Sequence, residues 1–248
     1  MLALRAVHKS FGPARVLSGL DLDLGSEEIL CILGPSGSGK TTILNLLAGV
    51  LQPDSGSVMR PPSSPGYVFQ EPRLLPWRTA AENVGLGLLP LPLTEAQRQR
   101  RVQSYLELLQ LGDAGHLYPH QLSAGMRQRV AFGRALAVAP PYLLLDEPFR
   151  SQDYALRLAM IGVLLGEWRR LPRPVVYVTH DALEAAMTAH RILVVAGRPL
   201  RSAAELVPVT PPGRQPQDAE VLALQAQLNA LLASLGAGIE MEKRREPD

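Results

Sequence analysis

Two short stretches carry residues whose types and spacing suit chemistry on phosphate. The first is Gly34-Pro35-Ser36-Gly37-Ser38-Gly39-Lys40-Thr41-Thr42, the pattern of a phosphate-binding loop set between a strand and a helix. Glycines let backbone N–H groups close around a phosphate, and the helix N-terminus adds a favourable field. In such a loop Lys40 reaches the β- and γ-oxygens of a nucleoside triphosphate, and the Thr41 hydroxyl ligates Mg²⁺. The second stretch is Asp146-Glu147, after the apolar run Tyr142 to Leu145 and before Pro148. A carboxylate at the C-terminal end of a buried strand can hold Mg²⁺ directly or through water. Where the strand ends, Glu147 can turn toward a γ-phosphate and orient or deprotonate an attacking water. The plainer alternative is two solvated carboxylates at the start of a loop.

A third stretch, LSAGMRQRV at 122–130, offers a Ser and a Gly at what reads as a helix start. That arrangement also receives an anion, although a merely capped surface helix would look the same. The chain thus carries a second anion receptor eighty-odd residues beyond the first.

The elements that must position these groups can be read from periodicity. Ile29 to Leu33 is fully apolar and runs into the Gly-rich turn, as a buried parallel strand feeding a helix does, with Gly49, Pro53 and Gly56 marking the helix exit. Residues 140–148 and 174–181 supply two further short buried strands. Leu20, Leu22 and Leu24 alternate with polar residues in a half-buried strand of the N-terminal region. Residues 94–111 read as a polar helix opened by Thr94, with Val102, Leu106 and Leu109 at helical spacing, and another helix runs from Ser123 to about Val138. Residues 70–138 read as one continuous helical block. The sum is an α/β fold with a mostly parallel sheet and an inserted helical subdomain at about 71–138.

PVTPPGRQPQ, within 206–217, is a linker by composition. Beyond it Val221, Leu224, Leu228, Leu231 and Leu235 alternate spacings of three and four, with Asp218 and Gly236 as caps. This helix of the 218–248 tail either packs back on its own domain or meets a partner.

A formal net charge of +2 gives no support for nucleic-acid binding. The single Cys31 excludes an internal disulfide framework, and its place inside an apolar strand suits a small buried residue. No stretch near Met1 has a signal peptide's apolar core, and the apolar run at 84–93 is too short and Pro-broken to span a bilayer. A membrane role would therefore come through a partner. His8, His116, His120 and His190 fit no motif.

GPSGSGKTT, LSAGMRQRV, LLLDEP and VTHD, in this order and at these separations, resemble the ATP-binding-cassette ATPases over roughly residues 2–205. The resemblance implies a P-loop ATPase core with an antiparallel β portion near the N-terminus, ATP and Mg²⁺ as ligands, and a homodimer. In that family two subunits pack head to tail, so that Ser123 and the Gly125 amide would meet a γ-phosphate bound to the other copy. It further implies that Phe11 stacks on adenine, that Gln70 senses Mg²⁺ and the attacking water, that His180 contacts the γ-phosphate, and that Asp146 holds the metal while Glu147 acts as base. Two departures stand out. Ala124 replaces the usual Gly of the signature, and Phe149-Arg150-Ser151-Gln152-Asp153 replaces a loop that usually reads close to FGALD. The expectation is an active ATPase, with coupling and turnover rather than binding exposed to the altered loop.

The segment FQEPRLLPWRTAAENV, 69–84, is similar to the nitrate, sulfonate and taurine importer branch, as is the tail pattern DAEVLALQAQLNALL. It implies permease subunits docked near Leu74, Leu75, Pro76 and Trp77, a site on the cytoplasmic face of the inner membrane, and indirect supply by an extracytoplasmic solute-binding protein. Trp77 could instead pack into its own subdomain. The competing functions are a soluble cassette ATPase acting on ribosomes or DNA, and a nucleotide-gated scaffold with little turnover.

Overall fold

The computed structural model describes residues 2–243. In chain order the strands are β1 (Leu2–Phe11), β2 (Ala14–Leu24), β3 (Ile29–Leu33), β4 (Ser55–Met59), β5 (Gly66–Val68), β6 (Leu143–Asp146), β7 (Val175–Thr179), β8 (Arg191–Ala196) and β9 (Arg201–Leu206). The helices are α1 (Lys40–Ala48), α2 (Ala80–Gly85), α3 (Glu95–Leu108), α4 (Ala124–Ala137), α5 (Tyr154–Arg170), α6 (Ala182–Thr188) and α7 (Ala219–Lys243). They form two compact units, one from the first 62 residues and those from Pro174 onward, the other Ser63–Arg173.

In the first unit β3 is the organising strand. All five of its residues are buried, as are all five of β7, and β3 pairs in parallel with β7 on one side and β8 on the other. Unbroken apolar runs of this kind belong to strands covered on both faces. β9 adds an antiparallel edge. A separate antiparallel sheet, in the order β2-β1-β4, stands at the N-terminus. In β2 Leu20, Leu22 and Leu24 are buried while Asp21 and Asp23 face out, the period of two that the sequence shows. α1 ends where Gly49 enters the left-handed region at φ 73°.

The 206–217 segment is tethered rather than loose. The Arg214 guanidinium is buried and donates to the carbonyls of Thr210 and Ala189, and Gly213 N–H donates to Met187 O. Composition alone reads it as a linker because a single anchoring arginine leaves no periodic signal. α7 packs on α6 and β8, with Val221 and Leu228 fully buried. Its backbone continues through Gly236 to Lys243, so Gly236 does not end it. Asp218 stands immediately before α7, its carbonyl accepting from Leu222 N–H and its carboxylate from Gln215 N–H at 2.6 Å.

In the second unit β5 pairs in parallel with β6, and α2, α3 and α4 pack on one another. The expected continuous helical block is segmented. Pro72 and Pro76 keep residues 69–78 out of helix, Pro90 and Pro92 separate α2 from α3, and short 3₁₀ turns at Gly112–Ala114 and Pro119–Gln121 separate α3 from α4. Each piece has its own start signal. Thr79 and Glu82 form a reciprocal cap on α2, Thr94 and Gln97 another on α3, and Ser123 caps α4.

Candidate functional site

The first unit builds the glycine-rich loop from backbone. The chain leaves β3 at Leu33 and enters α1 at Lys40. A Cβ on Gly34 would stand 2.3 Å from the Val195 carbonyl oxygen, so only glycine lets the loop pass β8 so closely. Gly39 takes φ 105° and opens α1 with no side-chain cap, leaving the helix start open to an anion rather than closed by its own residues. The Lys40 side chain is buried and folds back, its ammonium donating to Gly34 O and Pro35 O at 2.8 Å each. The Ser38 hydroxyl is buried with no protein partner. A missing acceptor or donor there is what a bound phosphate would supply. Ser36, Gly37 and Thr41 are exposed, and Pro35 and Thr42 half-buried.

Three further candidate residues belong to the same unit. His180 follows Thr179, whose register partner is Leu33, so the loop and His180 leave the sheet at the same end on adjacent strands. His180 is exposed, and the turn behind it is pinned. Glu184 is buried, accepting from the Thr179 hydroxyl at 2.7 Å and from the Tyr177 phenol, while Asp181 caps α6. Burial first, and the Glu184 carboxylate second, push the Tyr177 phenol well above its usual pKa, and the same two causes raise the neighbouring Cys31 thiol. Cys31 is therefore a neutral core residue. Phe11 stands at the β1–β2 hairpin end, 48% exposed, with the Lys9 ammonium 5.7 Å from its ring centre. Arg198, which no motif flags, donates through Nε to Gly37 O at 2.9 Å and so braces the loop from the β8–β9 turn.

The second unit gathers the carboxylates, the glutamine and the second anion receptor. Val68 of β5 pairs with Leu145 of β6, so Gln70 and Asp146-Glu147 emerge from the same end of that pair. Asp146 and Glu147 are 2% and 5% exposed, which rules out two solvated carboxylates. Glu147 sits at φ 46°, a left-handed conformation that costs a non-glycine residue about 1–2 kcal/mol. That turn is what redirects its side chain at the strand's end. Its carboxylate pairs with Arg150 at 3.3 Å. The Asp146 charge, after burial, raises the Tyr67 phenol pKa.

Gln70 itself is exposed, and the Phe69 carbonyl beside it accepts from Gln128 of α4 at 3.3 Å. Ser123 and Ala124 are exposed at the start of α4, with the Ser123 oxygen accepting from Met126 N–H at 3.2 Å and its own proton able to donate outward. The Gly125 carbonyl accepts from the buried Gln152 side chain at 2.9 Å. A Cβ on Gly125 would meet Ser151 O at 2.9 Å, so glycine is needed where α4 meets that loop.

The 72–78 segment is held from beneath by two residues that sequence reasoning missed. Asn83, fully buried, accepts from Leu75 N–H at 2.8 Å and donates to the carbonyls of Leu75, Arg78 and Thr79. Arg134 donates to Pro72 O and Arg73 O. A polar Asn one position beyond the Thr79–Glu82 cap was the available signal. Trp77 does not pack into its own subdomain, being 68% exposed, and Leu74 and Leu75 are half-buried.

No group of three or more His, Cys, Asp or Glu among the described residues could hold a metal by itself. A divalent ion here would need substrate oxygens to complete its shell, as Mg²⁺ on a nucleotide does. Among the described residues no helix is long and apolar enough to cross a membrane.

The ABC transporter family matches residues 17–150, just over half of the chain, and the chain belongs to that family. It is similar to the aliphatic sulfonates import ATP-binding protein SsuB of Granulibacter bethesdensis, at 40% identity over 94% of both chains. A protein of the same description from Pseudomonas fluorescens is 40% identical over 96% of this chain and 88% of its own. A putative ATP-binding protein of Brucella abortus is 39% identical over 82% of this chain and 80% of its own. Among solved structures, an ATP-binding cassette in a dimeric post-hydrolysis state bound to ADP and Pi has a TM-score of 0.77 and 29% identity, over 84% of this chain and 98% of that one.

Proposed function

We propose that this chain is the ATP-hydrolysing subunit of an importer for small aliphatic sulfonates, working as a homodimer on membrane permease subunits. The observation that supports it most is the open, uncapped glycine loop with Lys40 and the orphaned Ser38 hydroxyl, in a chain 40% identical to sulfonate-import ATPases along nearly its whole length. Lys40 exchanges its two carbonyl partners for the β- and γ-oxygens of ATP. Phe11 offers an exposed ring for the adenine. Thr41, Asp146 and Gln70 would hold Mg²⁺, which neutralises charge developing on the phosphoryl oxygens when bound. Glu147 takes the proton of the attacking water, and His180 donates to the γ-phosphate. Ser123 and the Gly125 amide complete the site of the other copy, so each active site needs both chains.

Leu74, Leu75, Pro76 and Trp77 form the permease-docking loop, with Trp77 as its apolar anchor and Asn83 as its brace. Closing the dimer on ATP moves the docked permease, and loss of the γ-phosphate reopens it. The protein then works at the cytoplasmic face, and an extracytoplasmic binding protein delivers the solute.

The test is growth of a strain lacking this gene, with an aliphatic sulfonate as sole sulfur source. The wild type restores growth and Glu147→Gln does not, while growth on sulfate is indifferent to both. Undiminished growth of the deleted strain on sulfonates overturns the solute assignment.

A further inference from the structure

The loop after Glu147 has a fixed shape that its sequence does not announce. Phe149 is buried, meeting the Phe132 ring edge-on with centroids 5.4 Å apart. Gln152, 6% exposed, donates to Gly125 O. Along 147–152 the backbone closes two short turns, Arg150 N–H to Glu147 O at 3.4 Å and Gln152 N–H to Phe149 O at 3.1 Å. These contacts set the path of the loop, and the one long charged side chain on it, Arg150, lies with its guanidinium 3.3 Å from Glu147 Oε2. The two partners are unequal: Glu147 is 5% exposed at its side chain and Arg150 58%.

We infer that Arg150 is a restraining residue for hydrolysis: its ion pair holds the Glu147 carboxylate in a resting orientation, which must open before that oxygen can receive a proton from water. This rests on Glu147 acting as the base. A guanidinium on one carboxylate oxygen commits the lone pair it meets and fixes how the group is turned, so only molecules in which that pair has opened are competent at a given moment. A half-exposed pair has a strength that lowers that fraction by about two- to fivefold. The effect belongs to kcat and not to nucleotide affinity, because Arg150 acts through Glu147 and the phosphate cradle is built by other residues. Being half-exposed, the pair also weakens with ionic strength.

The experiment measures steady-state ATP hydrolysis at low and high salt for the wild type, Arg150→Gln, Arg150→Lys and Glu147→Gln, with nucleotide affinity measured alongside. Arg150→Gln raises kcat about two- to fivefold at low salt with unchanged KM. Salt raises the wild-type kcat toward that of the variant and leaves the variant flat, and Arg150→Lys keeps the wild-type salt response. A readout that needs no turnover accompanies this, a double-mutant cycle on the melting temperature of the nucleotide-free chain. Arg150→Gln lowers the midpoint by about 1–3 °C in the wild type and leaves Glu147→Gln unchanged.

An unchanged or lowered kcat in Arg150→Gln, or equal midpoint shifts in both backgrounds, overturns the inference. Glu147→Gln separates the two layers. If it is inactive while Arg150→Gln has no effect, the base assignment stands and the restraint falls. If it hydrolyses ATP at the wild-type rate, the base assignment falls and takes the restraint with it.

Discussion

The glycine loop of the first unit and the 147–153 loop of the second handle charge by opposite means. The first is a backbone device, shaped by Gly34 against Val195 and by Gly39 at φ 105°, with its one cation satisfied by the loop's own carbonyls. The second is a side-chain device, in which Phe149 meets the Phe132 ring, Gln152 donates to Gly125 O and Arg150 pairs with Glu147. Backbone devices tolerate few sequences and so carry a recognisable pattern. Side-chain devices can be retuned one residue at a time, so the second loop can change its contacts without rebuilding the backbone.

That contrast can be broken most severely at Gly34. Its alanine variant must displace the Val195 carbonyl, and we expect a loss of about 3 kcal/mol or more in denaturant unfolding together with loss of ATP binding. A stable, binding-competent Gly34→Ala would show that the close approach is not what shapes the cradle. Next, Lys40→Ala removes the cation while leaving the backbone, and ATP affinity falls about a hundredfold in equilibrium binding. Affinity within a factor of two of the wild type would refute the cradle assignment.

Smaller effects are expected where one side-chain contact is lost. Gln152→Leu strips the Gly125 carbonyl of its partner and costs about 1 kcal/mol in denaturant unfolding, with no change in ATP affinity. A loss of ATP affinity instead would couple the two devices that are held apart here. The smallest expected effect is a pH dependence at His190, whose Nδ1 accepts from Ile29 N–H at the start of β3. Burial is the main cause that lowers its pKa. Its contribution is complete above the unfolded value of about 6.5 and is lost as pH falls through the lower folded value. His190→Asn therefore flattens the fall in unfolding free energy between about pH 7 and pH 5, which denaturant titrations at both ends would show.

How much of this was legible depended on whether the signal was local. The β3–loop–α1 passage, the Thr94 and Ser123 caps and the buried β6 and β7 runs each reveal themselves within ten residues. The segmentation of 70–138 was missed because helical composition outweighed scattered prolines. The anchoring of 206–217 was invisible because one of the two carbonyls that hold Arg214, Ala189 O, lies far back in the chain. The Glu147–Arg150 pair was missed for a different reason. Three-residue spacing predicts contact on a helix, whereas here a left-handed residue and a tight turn bring the two together.

The central claim, that this cassette hydrolyses ATP with Glu147 as base, is tested most directly by one comparison. Mg-ATP hydrolysis by the wild type and Glu147→Gln, each reconstituted with its permease, is measured beside ATP binding by the same preparations. The account predicts a fall of about 100-fold or more in kcat with ATP affinity retained. Hydrolysis by the variant at the wild-type rate, or none by the wild type, would contradict it.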